Sequence, residues 1–151
     1  MSAAPTHSTA LDPSPQQQGE LDPAPVGIRV KLAATWAAML FVFAYVDLFS
    51  LYRADTRAEL EAGTMAGFPV GPTFLLLITL YVVVPSLMVA GSVLLPARVV
   101  RPLTLVLAVL FALSIAAGCI GETNLYYLFG SAVEVVLLVV IARLARQWPR
   151  V

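Results

Sequence analysis

Four long runs of apolar residues, nearly free of charge, restrict what this chain can fold into. They occupy approximately residues 31–52, 72–95, 102–121 and 123–143. Each run has about the 20 residues that a helix needs to cross the hydrocarbon core of a bilayer. Transmembrane strands need only about ten residues and alternate apolar with polar side chains, so they do not match continuous runs. The sequence therefore predicts an all-α fold, an integral membrane four-helix bundle.

Composition argues against a soluble domain that buries these runs in its own core. Hydrophobic residues make up 60% of the 151 residues and charged residues only 12%, against about 25% charged in ordinary soluble domains. A soluble fold of this size lacks the polar residues to cover four buried helices, whereas lipid accepts apolar side chains directly. The apolar runs therefore predict membrane lipid as a partner. The formal net charge is zero, so bulk charge indicates no nucleic-acid partner.

Residues 1–26 differ in composition from the rest of the chain. Pro, Ser and Gln are abundant there and apolar periodicity is absent. Such a segment buries too little surface to offset its ordering entropy, so we predict a disordered N-terminal tail. It also lacks the apolar stretch of a secretory signal peptide. The four transmembrane helices then form a single domain over residues 27–148.

The connections between the spans carry signals of their own. In the first connection, Asp55 is placed to cap a short surface helix and Gly63 to end it. The basic link PARVVR is short, which predicts that the second and third spans form an antiparallel hairpin. Pro85 lies inside the second span and predicts a kink there.

Basic residues divide unequally between the two sides of such a bundle. Two of them, Arg53 and Arg57, lie in the connection after the first span. Seven lie on the other side: Arg29, Lys31, Arg98, Arg101, Arg143, Arg146 and Arg150. The positive-inside rule places the side with seven in the cytoplasm. We therefore expect a multi-pass protein of the cell (plasma) membrane with both termini cytoplasmic.

Two acidic residues lie within the spans, Asp47 in the first and Glu134 in the fourth. A charged side chain in hydrocarbon is expensive, so its presence calls for a reason. No basic residue lies in the interior of a span to pair with either acid. Glu134 lies near the bilayer centre and Asp47 nearer the outer face, about 10 Å apart in depth at 1.5 Å per residue.

Helical spacing suggests which side chains accompany these acids. Glu134 shares a face with Tyr127 and Ser131, at offsets of seven and three. The candidate intramembrane polar site consists of Asp47, Glu134, Tyr45, Tyr81 and Tyr127. One interpretation is a proton or cation site, or a polar ligand pocket. The other is that each acid is neutral and hydrogen-bonded, and holds helices together.

The chain offers little for cofactor or catalytic chemistry. It has one cysteine, Cys119, and one histidine, His7, which leaves too few ligands for zinc, haem or an iron–sulfur cluster. Phosphate-binding loops, nucleophile elbows and CxxC motifs are also missing from the sequence. We therefore expect no cofactor, no metal and no enzymatic activity.

These features together resemble an uncharacterised family of small bacterial membrane proteins with four spans. The matching motifs are Tyr45-Val46-Asp47, Gly67, Gly71-Pro72-Thr73-Phe74, Pro85, Tyr126-Tyr127-Leu128-Phe129 and Glu134. The resemblance covers roughly residues 31–148. It implies a fold and a membrane location, because members of that family have no assigned activity.

Two functions from different classes follow as expectations. A third, a membrane enzyme acting on lipid or quinone, has the least support, because a catalytic set beyond two acids and some tyrosines is lacking. The first is a non-enzymatic accessory or partner subunit in the membrane, bound to another membrane protein. The alternative is a small oligomeric protein that couples transport to a proton or cation, or binds a ligand, through Glu134 and Asp47. In that case the partners include further copies of the same chain.

Overall fold

The computed structural model describes residues 26–148, which contain five helices and a two-stranded sheet. The four long helices are α1 (Ile28–Ser50), α3 (Pro72–Leu94), α4 (Ala97–Gly118) and α5 (Leu125–Gln147). Each is long and apolar enough to cross a membrane, so the prediction of an all-α membrane bundle is confirmed. The predicted disordered tail, apart from Val26, lies outside the described residues.

The connection after α1 forms a short helix, α2 (Ala54–Glu61), and a hairpin of β1 (Thr64–Met65) and β2 (Phe68–Pro69). Gly63 ends α2 with a φ of +74°, as predicted. The predicted cap is wrong: Arg53 is the N-cap residue of α2, and it makes no side-chain cap bond. The hairpin turn at Ala66 and Gly67 has positive φ at both residues, as a type I′ turn requires.

Helices α4 and α5 extend by four or five residues beyond the apolar runs. Helix α4 begins at Ala97 rather than at Pro102, so most of the PARVVR link is helical and Pro102 lies inside the helix. Helix α5 ends at Gln147 rather than at residue 143. The physical reason is that arginine is a good helix former, so backbone hydrogen bonding continues where hydropathy falls.

The four long helices are arranged around the bundle in the order α3, α1, α5, α4. Helix α1 packs closely against α3 and α5, and α5 packs closely against α4. Helices α3 and α4 follow each other in the chain but pack only sparsely. The two helices of the predicted hairpin, α3 and α4, are therefore linked in sequence but pack mainly against other helices. Helix α3 packs against α1, and α4 packs against α5.

The two ends of the bundle differ. We call the end with α2 and the β-hairpin the hairpin end, and the opposite end the Trp148 end. The half next to the Trp148 end is tightly packed, and these side chains are at most 1% exposed: Leu32, Trp36, Met39, Leu138 and Ile141. At the same end Arg29 Nη1 donates to the Leu95 carbonyl at 2.7 Å. Its guanidinium carbon lies 5.0 Å from the centre of the Trp148 ring.

Candidate functional site

A cavity of about 80 Å³ lies between the four long helices, in the half of the bundle next to the hairpin end. All four helices contribute to its lining: Phe43, Val46, Asp47, Tyr81, Ser114, Ile115, Tyr127, Ser131 and Glu134. Its volume suits a few water molecules or one small ligand group. The polar atoms of these side chains are all oxygens, and two of the residues are acids, so the lining suits a cation.

Glu134 is the most deeply buried acid of this cavity. Its side chain is 2% exposed, and Oε1 has no hydrogen-bond partner among the described residues. A buried polar atom that lacks a partner lowers stability by about 1–3 kcal/mol. Position 134 therefore places a buried carboxyl oxygen without a protein partner on a residue that lines the cavity.

Asp47 lines the same cavity from α1 and is exposed at its mouth. It lies three residues before the end of α1, whereas Glu134 lies nine residues after the start of α5. At 1.5 Å per residue the two α-carbons differ by about 9 Å along the bundle. The acids therefore face one cavity from two depths, Asp47 near its opening and Glu134 farther from the hairpin end.

Tyr81 connects two helices that otherwise pack sparsely. Its hydroxyl oxygen lies 2.6 Å from Ser114 Oγ. Because the Ser114 hydroxyl donates to the Phe111 carbonyl at 2.8 Å, Tyr81 is the donor in the bond to Ser114. The Tyr81 ring lies 5.7 Å from that of Phe43 and 4.7 Å from that of Phe111, centre to centre. Tyr81 therefore places an aromatic face and a bridging hydroxyl between α3 and α4.

Tyr127 reaches the cavity from α5 by crossing toward α4. A Cβ placed on Gly118 would lie 2.9 Å from the Tyr127 hydroxyl oxygen. Glycine at position 118 therefore makes room for the phenol. Ser131, one turn further along α5, is buried and lies beside Glu134 on the same lining.

Tyr45 is the one candidate residue that lies elsewhere. Its side chain is 54% exposed and packs against Phe49, with ring centres 6.0 Å apart. It lines an apolar groove on the other side of the contact between α1 and α5. The sequence places Tyr45 two residues from Asp47, and this offset turns the two side chains to different faces of a helix.

A polar cluster at the hairpin end joins α1 to α5. Arg53 Nη1 donates to Glu122 Oε2 at 2.7 Å, and Arg53 also pairs with Asp55. Glu122 Oε1 accepts from the backbone N–H groups of Thr123 and Asn124. The bonds from Arg53, then those from Asn124, lower the pKa of Glu122 to about 2.

The sequence did not predict this cluster, although Arg53 and Glu122 are charged residues that lie next to apolar runs. The Arg53 guanidinium likewise lowers the pKa of Asp55 to about 2. Hydrogen bonds to Asp55 and Glu122 raise the pKa of Arg53 above its ordinary value, which is already high. All three groups are therefore ionised at neutral pH, and they fix the hairpin end of α1 against the turn before α5.

The four apolar helices and their internal polar cavity define a multi-pass membrane protein. A family model described as "Family of unknown function (DUF6326)" matches residues 27–151. The chain belongs to this family, whose match covers the whole bundle and all described residues except Val26. No curated protein and no solved structure matches the chain.

Proposed function

We propose that this protein binds a small cation or a proton within the membrane, at the cavity formed by Asp47 and Glu134. The observation that carries the proposal is the buried, unpartnered Glu134 Oε1 on the wall of a cavity with a second carboxyl at its mouth. Buried acids in membrane spans commonly mark proton or ion sites. Buried polar atoms in native proteins usually have a hydrogen-bond partner, so this oxygen calls for an explanation.

The packing of the bundle favours a binding site that is open on one side over a continuous pore. The cavity lies toward the hairpin end, and tightly packed side chains occupy the bundle between it and the Trp148 end. A cation that reaches Glu134 therefore returns by the same route unless the helices rearrange. This arrangement supports a binding or alternating-access protein rather than a channel.

Replacing Glu134 by Gln tests the proposal. The change keeps the side-chain shape but removes the charge, so we expect at least a tenfold loss of cation affinity with normal expression. Binding of Na⁺, K⁺ and NH₄⁺ is measured by calorimetry on the purified protein, and proton uptake is measured in proteoliposomes. Exposed Glu61 on α2 supplies the matched control, because Glu61→Gln removes a charge outside the cavity. Equal binding and proton uptake by Glu134→Gln and the unaltered protein would refute the site.

We further propose that the Trp148 end faces the cytoplasm of a bacterial cell, across the plasma membrane. Among the described residues, that end carries these basic side chains and no acid: Arg29, Lys31, Arg98, Arg101, Arg143 and Arg146. The described acids all lie in the half of the bundle next to the hairpin end or in its loops. This asymmetry supports cytoplasmic termini by the positive-inside rule.

Cysteine labelling tests the orientation. In a Cys119→Ala background, Glu61→Cys is expected to react with a membrane-impermeant maleimide on intact cells. Arg98→Cys, at the opposite end, is expected to react only after the cells are permeabilised. Both positions are exposed, so access to the reagent decides the result. The reverse pattern would invert the proposed topology.

The prediction of a non-enzymatic accessory subunit stays a prediction, as does that of a homo-oligomer. The cation site is compatible with either, because a subunit of a larger assembly can supply an ion site. Co-purified membrane proteins identified by mass spectrometry would distinguish a partner subunit from a self-contained protein.

A further inference from the structure

The half of α3 that lies next to the hairpin end is loosely packed against the rest of the bundle. The buried residues of α3 are Pro85, Met88, Gly91 and Ser92, all in its second half. Residues 75–80, in its first half, are exposed without interruption. Because α3 also packs only sparsely against α4, this loose packing leaves room for a side opening between α3 and α4.

The rim of this opening is apolar. Leu77 and Ile78 precede Tyr81 by four and three residues and so lie on its face of α3. Both are exposed. On α4, exposed Leu110 and Ala117 lie four residues before and three residues after Ser114. On the lipid side of the hydrogen bond between Tyr81 and Ser114, these side chains therefore give the opening a hydrocarbon surface.

The inner wall suits an ammonium group better than a tightly bound metal ion. A primary ammonium has three donors, and the lining offers it the oxygen acceptors of Glu134 and Ser131 and, nearer the mouth, of Asp47. The aromatic side chains of Phe43 and Tyr81 line the same space. Cations within about 6 Å of an aromatic ring are attracted to its face. Among residues 26–148, no group of three or more His, Cys, Asp or Glu side chains could hold a metal ion.

We propose that the ligand is an amphiphilic amine whose ammonium head occupies the cavity and whose alkyl chain leaves between α3 and α4 into the lipid. This inference rests on the proposed cation site and specifies its ligand. A polar, acidic cavity selects the head, and the apolar side opening selects the chain. The head enters where Asp47 is exposed and is held by Glu134 at the buried end.

Calorimetry with the full chain in phosphatidylcholine nanodiscs tests this inference, with empty nanodiscs as the blank. The probes are decylamine, decanol, methylamine and Na⁺. We expect saturable binding of decylamine, with a Kd at least tenfold lower than that of methylamine, and no saturable binding of decanol. Glu134→Gln is expected to weaken decylamine binding at least tenfold, and Glu61→Gln is expected to leave it unchanged.

A variant at the rim separates the chain from the head. Ala117→Phe narrows the side opening, so we expect it to weaken decylamine binding at least fivefold and to spare methylamine. Ala132→Phe, at an exposed position of α5, is the matched control and is expected to change neither.

Two results overturn the amine inference and leave the cation site standing. One is equal affinity for decylamine and methylamine. The other is Na⁺ or proton binding that depends on Glu134 without binding of either amine. If none of the probes binds in a way that depends on Glu134, the cation site is overturned as well.

Discussion

Glu134→Met is expected to stabilise the bundle by about 1–3 kcal/mol, the range of penalty for a buried polar atom without a partner. Methionine has nearly the same length as glutamate and brings no acceptor that needs a donor. Glu134 Oε1 lacks a hydrogen-bond partner among the described residues, so the variant removes a penalty and breaks no bond of that atom. The free energy of unfolding in mixed detergent micelles containing dodecyl sulfate measures the effect.

The direction of this change distinguishes the two interpretations of the acid. A glutamate that holds helices together through hydrogen bonds would make Glu134→Met destabilising. If Glu134 is instead kept for ligand binding, Glu134→Met is more stable but does not bind. Such a trade-off between stability and function is common at binding sites. Ser131→Ala is a useful companion, because it alters the neighbouring lining without removing an acid.

Gly130→Ala is expected to destabilise the protein by about 1–3 kcal/mol, as overpacking does in well-packed cores. A Cβ at position 130 of α5 would overlap a γ-methyl group of Val46 on α1. This contact lies between the polar cavity and the apolar groove, both of which Val46 also lines. Unfolding in the same micelles measures the loss.

A double variant tests the cause of that loss. Val46→Ala removes the methyl groups that the new Cβ would meet, so Val46→Ala combined with Gly130→Ala is expected to recover much of the stability. Coupling between residues in contact is commonly 0.5–3 kcal/mol, about the size required here. Gly71→Ala is the control, because a Cβ there meets nothing within 4 Å. Additive effects of the two changes would show that helix contact at Gly130 is not the cause.

The two membrane acids of the site could be identified from the sequence alone. Their charge in an apolar run was enough to mark Asp47 and Glu134, since burying a charge needs a reason in any membrane fold. The i, i+7 offset also placed Tyr127 on the face of Glu134, and the structure shows both on one cavity. Tyr45 was grouped with Asp47 by proximity along the chain, although helical geometry turns it toward the groove.

Other features depended on contacts between distant parts of the chain. The pairing of Arg53 with Glu122 joins residues 69 positions apart, and neither local propensity nor hydropathy indicates which charges meet. The hydroxyl bridge from Tyr81 to Ser114 likewise depends on how α3 and α4 face each other. The sequence did not predict the start of α4 at Ala97. An apolar run indicates which residues contact lipid, whereas the bounds of a helix depend on its backbone hydrogen bonds.

The four membrane helices were determined by the sequence alone, because a bilayer imposes length and apolarity on each helix separately. The family match covers the same region. The order of the helices around the bundle was decided only by tertiary packing, since lipid contacts any apolar face equally well. Helices α1 and α5 approach closely at Gly130, whereas α3 and α4 pack only sparsely. That sparse packing leaves room for the proposed side opening beside the cavity of Asp47 and Glu134, and no single helix encodes it.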